Sequence, residues 1–396
     1  MTSTGRLAMP EGEPESLDTS RPRVAVWRNT WLPPSETFIR NQLDALRRWQ
    51  PLPIGLTHEP STISAPSEVL LTNRNFGSRL RAKAFLQSGY DFGLQRWLKD
   101  RQVTLIHAHF GPDAIAIAPI ARILKLPLVV TLHGFDVTSV PENHSLGHGY
   151  TAKLRKTLRQ AEQVIAVSDF IGDAAVRAGA RPENLRVCRI GIPVPAAAEE
   201  GQATEWDVLF VGRLVEKKGV ADLIDAVAML PEPQRRIKVG IIGAGPLHGI
   251  LRQRALQLGL NFHFLGVQPP DRIADCLQRS RIFAAPSKTA PSGDSEGLGM
   301  VFLEAAAASI PAVSYAHGGV PEAVVHGVTG LLASEGDIAG LSQQIGTLLN
   351  DDPFRQRLGE QGRARVEQEF NIGNLTARLE DIYDDVVQRF SSTSRR

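Results

Sequence analysis

Short apolar runs recur along the whole chain, and each ends in a polar loop followed by a helix-forming stretch. In the first half these runs are "PRVAVW", "VTLIHAHFG", "LPLVVTLHGFD", "AEQVIAVSDF" and "NLRVCRIGIPV". In the second half they are "DVLFVGRL", "IKVGIIGAGPL", "NFHFLGV", "RIFAAPS" and "PAVSYA". A strand covered by helices on both faces reads as a continuous Val/Ile/Leu run, so the pattern predicts parallel α/β sheets. The stretch "PVPAAAEEGQATEW", Pro193 to Trp206, interrupts the alternation and reads as a linker. Two doubly wound parallel-sheet domains in tandem are therefore expected, and the 396 residues suit them. Their limits are set at 21–197 and 198–373. A polar, Pro-rich leader over 1–20 is expected to be disordered, and an amphipathic helix over 374–391 carries Leu375, Leu379, Ile382, Val386 and Val387. The tail "SSTSRR" is expected to be loose. In sheets of this kind ligands bind beyond the carboxyl ends of the strands, so the natural site is the cleft between the domains.

Charge supports the division. Residues 1–197 hold 24 Lys and Arg against 17 Asp and Glu, whereas 198–396 hold 20 against 25, although the whole chain is only +2. The two cysteines, Cys188 and Cys276, cannot build a disulfide framework and fit a reducing compartment. No apolar run approaches the ~18–20 residues that span a bilayer, and the leader lacks a hydrophobic signal core. A cytoplasmic location is expected, with no nucleic-acid partner.

Three features of the second half carry chemistry. "FVGRLVEKKG" sets Arg213 and Lys218 just past a strand end, where a guanidinium fork and an ammonium suit phosphate. "IIGAGPL" supplies a tight turn with Gly243 and Gly245, without the third glycine of a dinucleotide fingerprint. "GDSEGLGMVFLEAAAASIPAV" leads through Glu296 into an apolar helix starting near Gly299. From Gly297 to His317 that segment has one acid, Glu304, and no Lys or Arg. Eight residues at 3.6 per turn rotate Glu304 by roughly 80° from Glu296. An unpaired buried charge is costly. Glu304 therefore faces either solvent or a ligand whose hydroxyls satisfy it.

The order and spacing of "GRLVEKKG", "GAGPL", "SEGLGMVFLEAAAASIPAV" and "HGGVPEAVVHGVTGLL" closely resemble family-4 retaining glycosyltransferases of the GT-B fold. The resemblance covers nearly the whole chain beyond the leader and is most specific over 208–350. Glu296 and Glu304 match the family's E-x7-E motif. The resemblance implies two Rossmann-like domains facing a cleft, the first on the acceptor side and the second binding a nucleotide-sugar. It implies that Arg213 and Lys218 neutralise the donor diphosphate and that Glu304 binds the ribose hydroxyls. Glu296, Gly297, Leu298 and Gly299 would meet the donor sugar, with Glu296 and His133 at the reacting centre. "PPSETFIRNQ" and "HAHFG…THGFD" look like the subgroup of bacterial exopolysaccharide enzymes, the colanic-acid and amylovoran type. Ser35, Glu36, Thr37, His109 and Asp136 are accordingly assigned to the first loop or the acceptor. The family's first-strand Gly-Gly loop is replaced here by Pro33-Pro34-Ser35-Glu36-Thr37.

The implied reaction moves a sugar, with retention, from a UDP- or GDP-linked donor to a hydroxyl of a glycan, a lipid-linked saccharide or a small molecule. No cofactor and no metal are expected, since no Asp-x-Asp pair stands out. A nucleotide-sugar epimerase of the same fold and a non-catalytic nucleotide-sugar-binding protein remain open. Residues 74–101 interleave Arg74, Arg79, Arg81, Lys83, Arg96, Lys99 and Arg101 with Phe76, Phe85, Tyr90, Phe92 and Trp97. That mixture suits either a core helix pair or peripheral contact with an anionic membrane at its inner face.

Overall fold

Two sheets, parallel in every pairing, organise the protein, which we describe from a computed structural model covering residues 21–31, 33, 36–58, 68–69, 76–138, 147–196 and 203–393. The first sheet contains β1 (Arg23–Trp31), β2 (Gln50–His58), β3 (Glu68–Val69), β4 (Leu105–His109), β5 (Leu128–Leu132), β6 (Gln163–Ala166) and β7 (Leu185–Val187). Its order is β3-β2-β1-β4-β5-β6-β7. The second contains β8 (Trp206–Val211), β9 (Val239–Ile242), β10 (Phe262–Gly266), β11 (Ser280–Ala284), β12 (Ala312–Tyr315) and β13 (Gly330–Ala333), in the order β10-β9-β8-β11-β12-β13. Both are doubly wound, with the order reversing between β1 and β4 and between β8 and β11. Each reversal leaves a crevice at the strand ends, and these crevices are where the candidate residues gather.

The apolar runs became strands because helices bury them on both faces. Every residue of β4, β5, β6 and β9 is buried. The long strand β2 was not anticipated, because Pro51 and Pro53 read as breakers. The pairing resolves this. β3 pairs with Ile54 and Gly55, so among the described residues the prolines lie on a stretch of β2 with no neighbour on that side. β1 is also longer than its apolar core suggested and runs on to Trp31.

The C-terminal helix spans Ile372–Thr393, so Ser391 to Thr393 extend it rather than forming a loose tail. It lies against the first sheet's helix Thr37–Ala45. Leu379, Ile382, Tyr383 and Val386 share a core with Val24, Val26, Trp31 and Ile39. The buried carboxylate of Glu380 accepts the backbone N–H groups of Arg47, Arg48 and Trp49 at 2.8, 2.6 and 3.0 Å. A charged acceptor holding three amides pins this helix across the amino-terminal half. The leader over 1–20 and part of the expected linker, 197–202, lie outside the described residues.

Candidate functional site

After β8 the chain turns through "GRLVEKKG". Gly219 takes a left-handed φ of 64°, and a Cβ there would stand 1.9 Å from the Pro286 carbonyl. Only glycine lets this turn press against the end of β11. The turn therefore delivers Lys217 and Lys218 to the loop that follows β11. Lys218 Nζ lies 2.5 Å from Glu296 Oε2, and Lys217 Nζ lies 2.9 Å from Asp294 Oδ1. Ser287 adds a longer bond to Glu296 at 3.4 Å. Burial raises the Glu296 carboxyl, but the charges of Lys218 and Lys217 and the hydrogen bonds from Lys218 and Ser287 outweigh it and hold the group at about 2. Arg213 is exposed and makes no hydrogen bond or ion pair with another side chain among the described residues.

Glu304 has the opposite surroundings. It lies on the Met300–Ala307 helix between the buried Leu303 and Ala305, itself half-buried. Among the described residues no donor reaches its carboxylate, and burial pushes the group up to about 7. Leu298 is buried, so its side chain belongs to the core and does not open onto the cleft. Gly299 caps the helix at φ 83°. The loop backbone is braced by His317, which bonds Glu335 at 2.9 Å and approaches the Glu296 amide at 3.5 Å.

The loop after β11 that carries Asp294 to Gly299, assigned to the donor by the sequence resemblance, meets the other half of the molecule at His133. A Cβ on Gly297 would stand 2.0 Å from the His133 carbonyl, so the two backbones touch only because this residue is glycine. Behind His133 stands a column of histidines at the ends of β4 and β5. His133 Nε2 and His109 Nδ1 are 3.0 Å apart. His107 packs on His109 and bonds both Tyr383 of the C-terminal helix and Thr131. Burial holds all three imidazoles in the neutral form, aided at His109 and His133 by mutual repulsion and by Arg28.

Not every assigned residue opens onto the cleft. His109 is buried and reaches the site only through His133. Asp136 is fully buried, and its carboxylate staples the amides of Gly111, His133 and Gly134, which shapes the loop instead of meeting an acceptor. Glu36 is buried too and forms a bidentate pair with Arg28. Thr37 begins the following helix, half-buried. Ser35 lies outside the described residues. Lys217 does not point elsewhere in its loop as a neutral neighbour of Lys218 would, because Asp294 draws it to the same wall.

Sequence reasoning missed Arg28 and Asp113. The guanidinium binds both Glu36 and Asp113 in a buried cluster, and it covers the Phe110 ring at 4.2 Å. Burial raises Asp113 to about 7 against the pull of Arg28. A lone arginine ending the apolar strand "VAVWR" was the available signal, since such a charge needs carboxylate partners.

Residues 23–194 match the family model "Glycosyltransferase Family 4", and residues 196–365 match "Glycosyl transferases group 1". A GDP-mannose-dependent alpha-(1-6)-phosphatidylinositol monomannoside mannosyltransferase of Mycobacterium tuberculosis is 34% identical over 313 residues, covering 74% of this chain and 78% of that protein. The amylovoran biosynthesis glycosyltransferase AmsK of Erwinia amylovora is 30% identical over 273 residues, covering 66% of this chain and 65% of that protein, just under two thirds of its length. The crystal structure of Anabaena Alr3699/HepE in complex with UDP-glucose superposes with a TM-score of 0.73 at 22% identity, covering 92% of this chain and 99% of that chain, a likeness of fold. The chain belongs to glycosyltransferase family 4, with the two parallel-sheet halves of the GT-B fold, and its reaction class is glycosyl transfer.

Proposed function

We propose that the protein transfers a sugar from a UDP- or GDP-linked donor to a hydroxyl of a glycan, lipid-linked saccharide or small-molecule acceptor, with retention at the anomeric carbon. The unpartnered carboxylate of Glu304 carries this reading. A half-buried acceptor with no protein donor suits the vicinal hydroxyls of a ribose. Arg213 and Lys218 then face the diphosphate, whose charge grows as the glycosidic bond breaks. Glu296, ionised and fixed by Lys218, serves as an acceptor for donor-sugar hydroxyls. His133, neutral and at the contact between the halves, stands at the reacting centre. The acceptor oxygen attacks the anomeric carbon on the face from which the diphosphate leaves, its new C–O bond forming as the old one breaks, and the departing phosphate takes the acceptor proton. The names of the relatives support both nucleotides, GDP-mannose in one and UDP-glucose in the other.

We also assign the diphosphate charge to side chains and not to a divalent metal. Asp294 and Glu296, the two carboxylates of the donor loop, are each already neutralised by a lysine. A lipid-linked acceptor is favoured by the surface near the Phe76–Ser88 and Phe92–Asp100 helices. Phe85 and Trp97 are core there, but Phe76 is 83% exposed and Phe92 68%, with Leu80, Leu86 and Tyr90 also outward. Arg79, Lys83, Arg96 and Lys99 are exposed beside them, whereas Arg81 pairs with Asp91. Among the described residues no helix is long and apolar enough to cross a membrane.

Glu304→Gln is expected to weaken nucleoside diphosphate affinity about tenfold or more, as loss of a charged hydrogen bond does. Its effect on the free protein has the opposite sign. Burial sets this carboxyl at about 7 in the folded protein, above its ordinary value, so the unfolded chain loses the proton first and stability falls as pH rises from the ordinary carboxyl range to about 7. The variant escapes that loss, and at pH 8 denaturant unfolding should find it more stable by about 1–3 kcal/mol. Equal affinity of the natural protein for a nucleoside diphosphate and its 2′,3′-dideoxy analogue would reject the ribose assignment.

Lys218→Ala should slow transfer severely. Lys217→Ala should cost less, through release of Asp294, and EDTA should leave activity intact. Activity lost to EDTA and restored by Mg²⁺ or Mn²⁺ would move the role to a metal.

Sedimentation with vesicles tests the membrane reading. The protein should bind anionic vesicles and not neutral ones, and Phe76→Ser with Lys83→Glu should abolish binding. Equal binding to both kinds, or to neither, would remove the lipid surface.

A further inference from the structure

The Asp169–Ala178 helix belongs to the first half, yet the groups that cap its start reach across the boundary. Ser168 is fully buried. Its Oγ accepts the Ile171 N–H at 3.2 Å and donates to the Gly297 carbonyl at 2.6 Å. The next two amides, of Asp169 and Phe170, both donate to the Glu322 carboxylate of the second half at 3.0 Å. Arg189 of the first half reaches the same carboxylate at 3.0 Å. The first N–H groups of a helix have no carbonyl partner within it, and its dipole favours an anion there. Glu322 answers both needs from the other domain.

The turn carrying Glu322 is also bonded to the donor loop. Gly319 N–H donates to the Glu296 carbonyl at 2.9 Å, and the Glu322 N–H returns to the Gly319 carbonyl at 3.1 Å. A Cβ on Gly319 would stand 1.9 Å from the Gly297 carbonyl. Glu296, Gly297, Gly319 and Glu322 therefore move as one piece, and Ser168 and the helix start hold that piece beside His133.

We propose that Ser168 and Glu322 form an interdomain clasp, a pair of positioning residues that sets the Glu296–Gly297 backbone against His133 for transfer. The inference rests on the donor-site reading above. Neither residue lies among the groups assigned to the donor. The bond from Ser168 to the Gly297 carbonyl and the bonds from Asp169, Phe170 and Arg189 to Glu322 exist only while the two halves are together, so they stabilise this arrangement relative to one with the halves apart. The nucleoside diphosphate groups all lie on the second half, so its affinity should not depend on the clasp.

The test uses the full chain without ligand, then with UDP and GDP, then with UDP-glucose and GDP-mannose in water. Glu322→Ala is expected to raise the radius of gyration in small-angle scattering. Its nucleoside diphosphate affinity should stay within about twofold, because the lost bonds run to Asp169, Phe170 and Arg189 of the first half while the groups assigned to the nucleotide all lie on the second. Its kcat for nucleoside diphosphate release should fall about tenfold or more, because the positioning bonds are lost. Ser168→Thr, which keeps the hydroxyl, should behave as the natural protein, whereas Ser168→Val should follow Glu322→Ala. An unchanged radius overturns the clasp. An unchanged kcat, or a kcat loss matched by an affinity loss, overturns the positioning role. Failure of the donor-site reading shows separately, as natural protein that binds neither UDP nor GDP, and the scattering result then decides the clasp by itself.

Discussion

The salt bridge between Lys218 and Glu296 ties together the two loops on which the donor side depends. One group arrives from the turn after β8 and the other from the loop after β11, across the point where the second sheet reverses its strand order. Without a partner, a carboxylate this buried would take up a proton. With Lys218 beside it and Lys217 close by, Glu296 stays ionised far into acid. The pair thereby keeps a charged acceptor in a shielded cleft, and it draws the Gly219 turn onto Pro286. Arg213 is exposed and has no hydrogen-bonding or ion-pair partner among the described residues, which is why we propose it for an incoming anion.

Glu304, eight residues on, shows what the same side chain does without such a partner. Its raised carboxyl is an unfavourable feature of the free protein, and a ligand that donates hydrogen bonds relieves it. On the facing half the polar groups are handled differently. Three neutral histidines stack at the ends of β4 and β5, and the one charged arginine beside them is enclosed by Glu36 and Asp113. At the contact the first half therefore presents neutral imidazoles and the second an ionised Glu296 with its lysines, the contrast on which the proposed placing of a sugar rests. The halves meet at glycine, where Gly297 lies against the His133 carbonyl.

Much of this was legible in the sequence where periodicity or a motif had a local cause. The apolar runs that became β4, β5, β6 and β9 could be read because burial on both faces demands continuous apolar residues. Glu304 stood out because one acid interrupts an apolar helix. β2 was hidden because the effect of Pro51 and Pro53 depends on how the strand is paired, a property of the sheet and not of the segment. Glu322 was likewise invisible as a cross-domain cap, since its partners lie more than 150 residues away in the chain. Asp136 and His109 were placed at the right loop ends but given the wrong surroundings, because spacing does not say whether a polar group faces the cleft or staples the backbone beneath it.

The central claim is that Glu304 is a ribose acceptor in a donor site formed with Arg213 and Lys218. A crystal structure with UDP or GDP bound tests it most directly. Both ribose hydroxyls should then lie within hydrogen-bonding distance of the Glu304 carboxylate, with the diphosphate on Arg213 and Lys218. A nucleotide bound elsewhere, or bound here with its ribose hydroxyls turned away from Glu304, would contradict it.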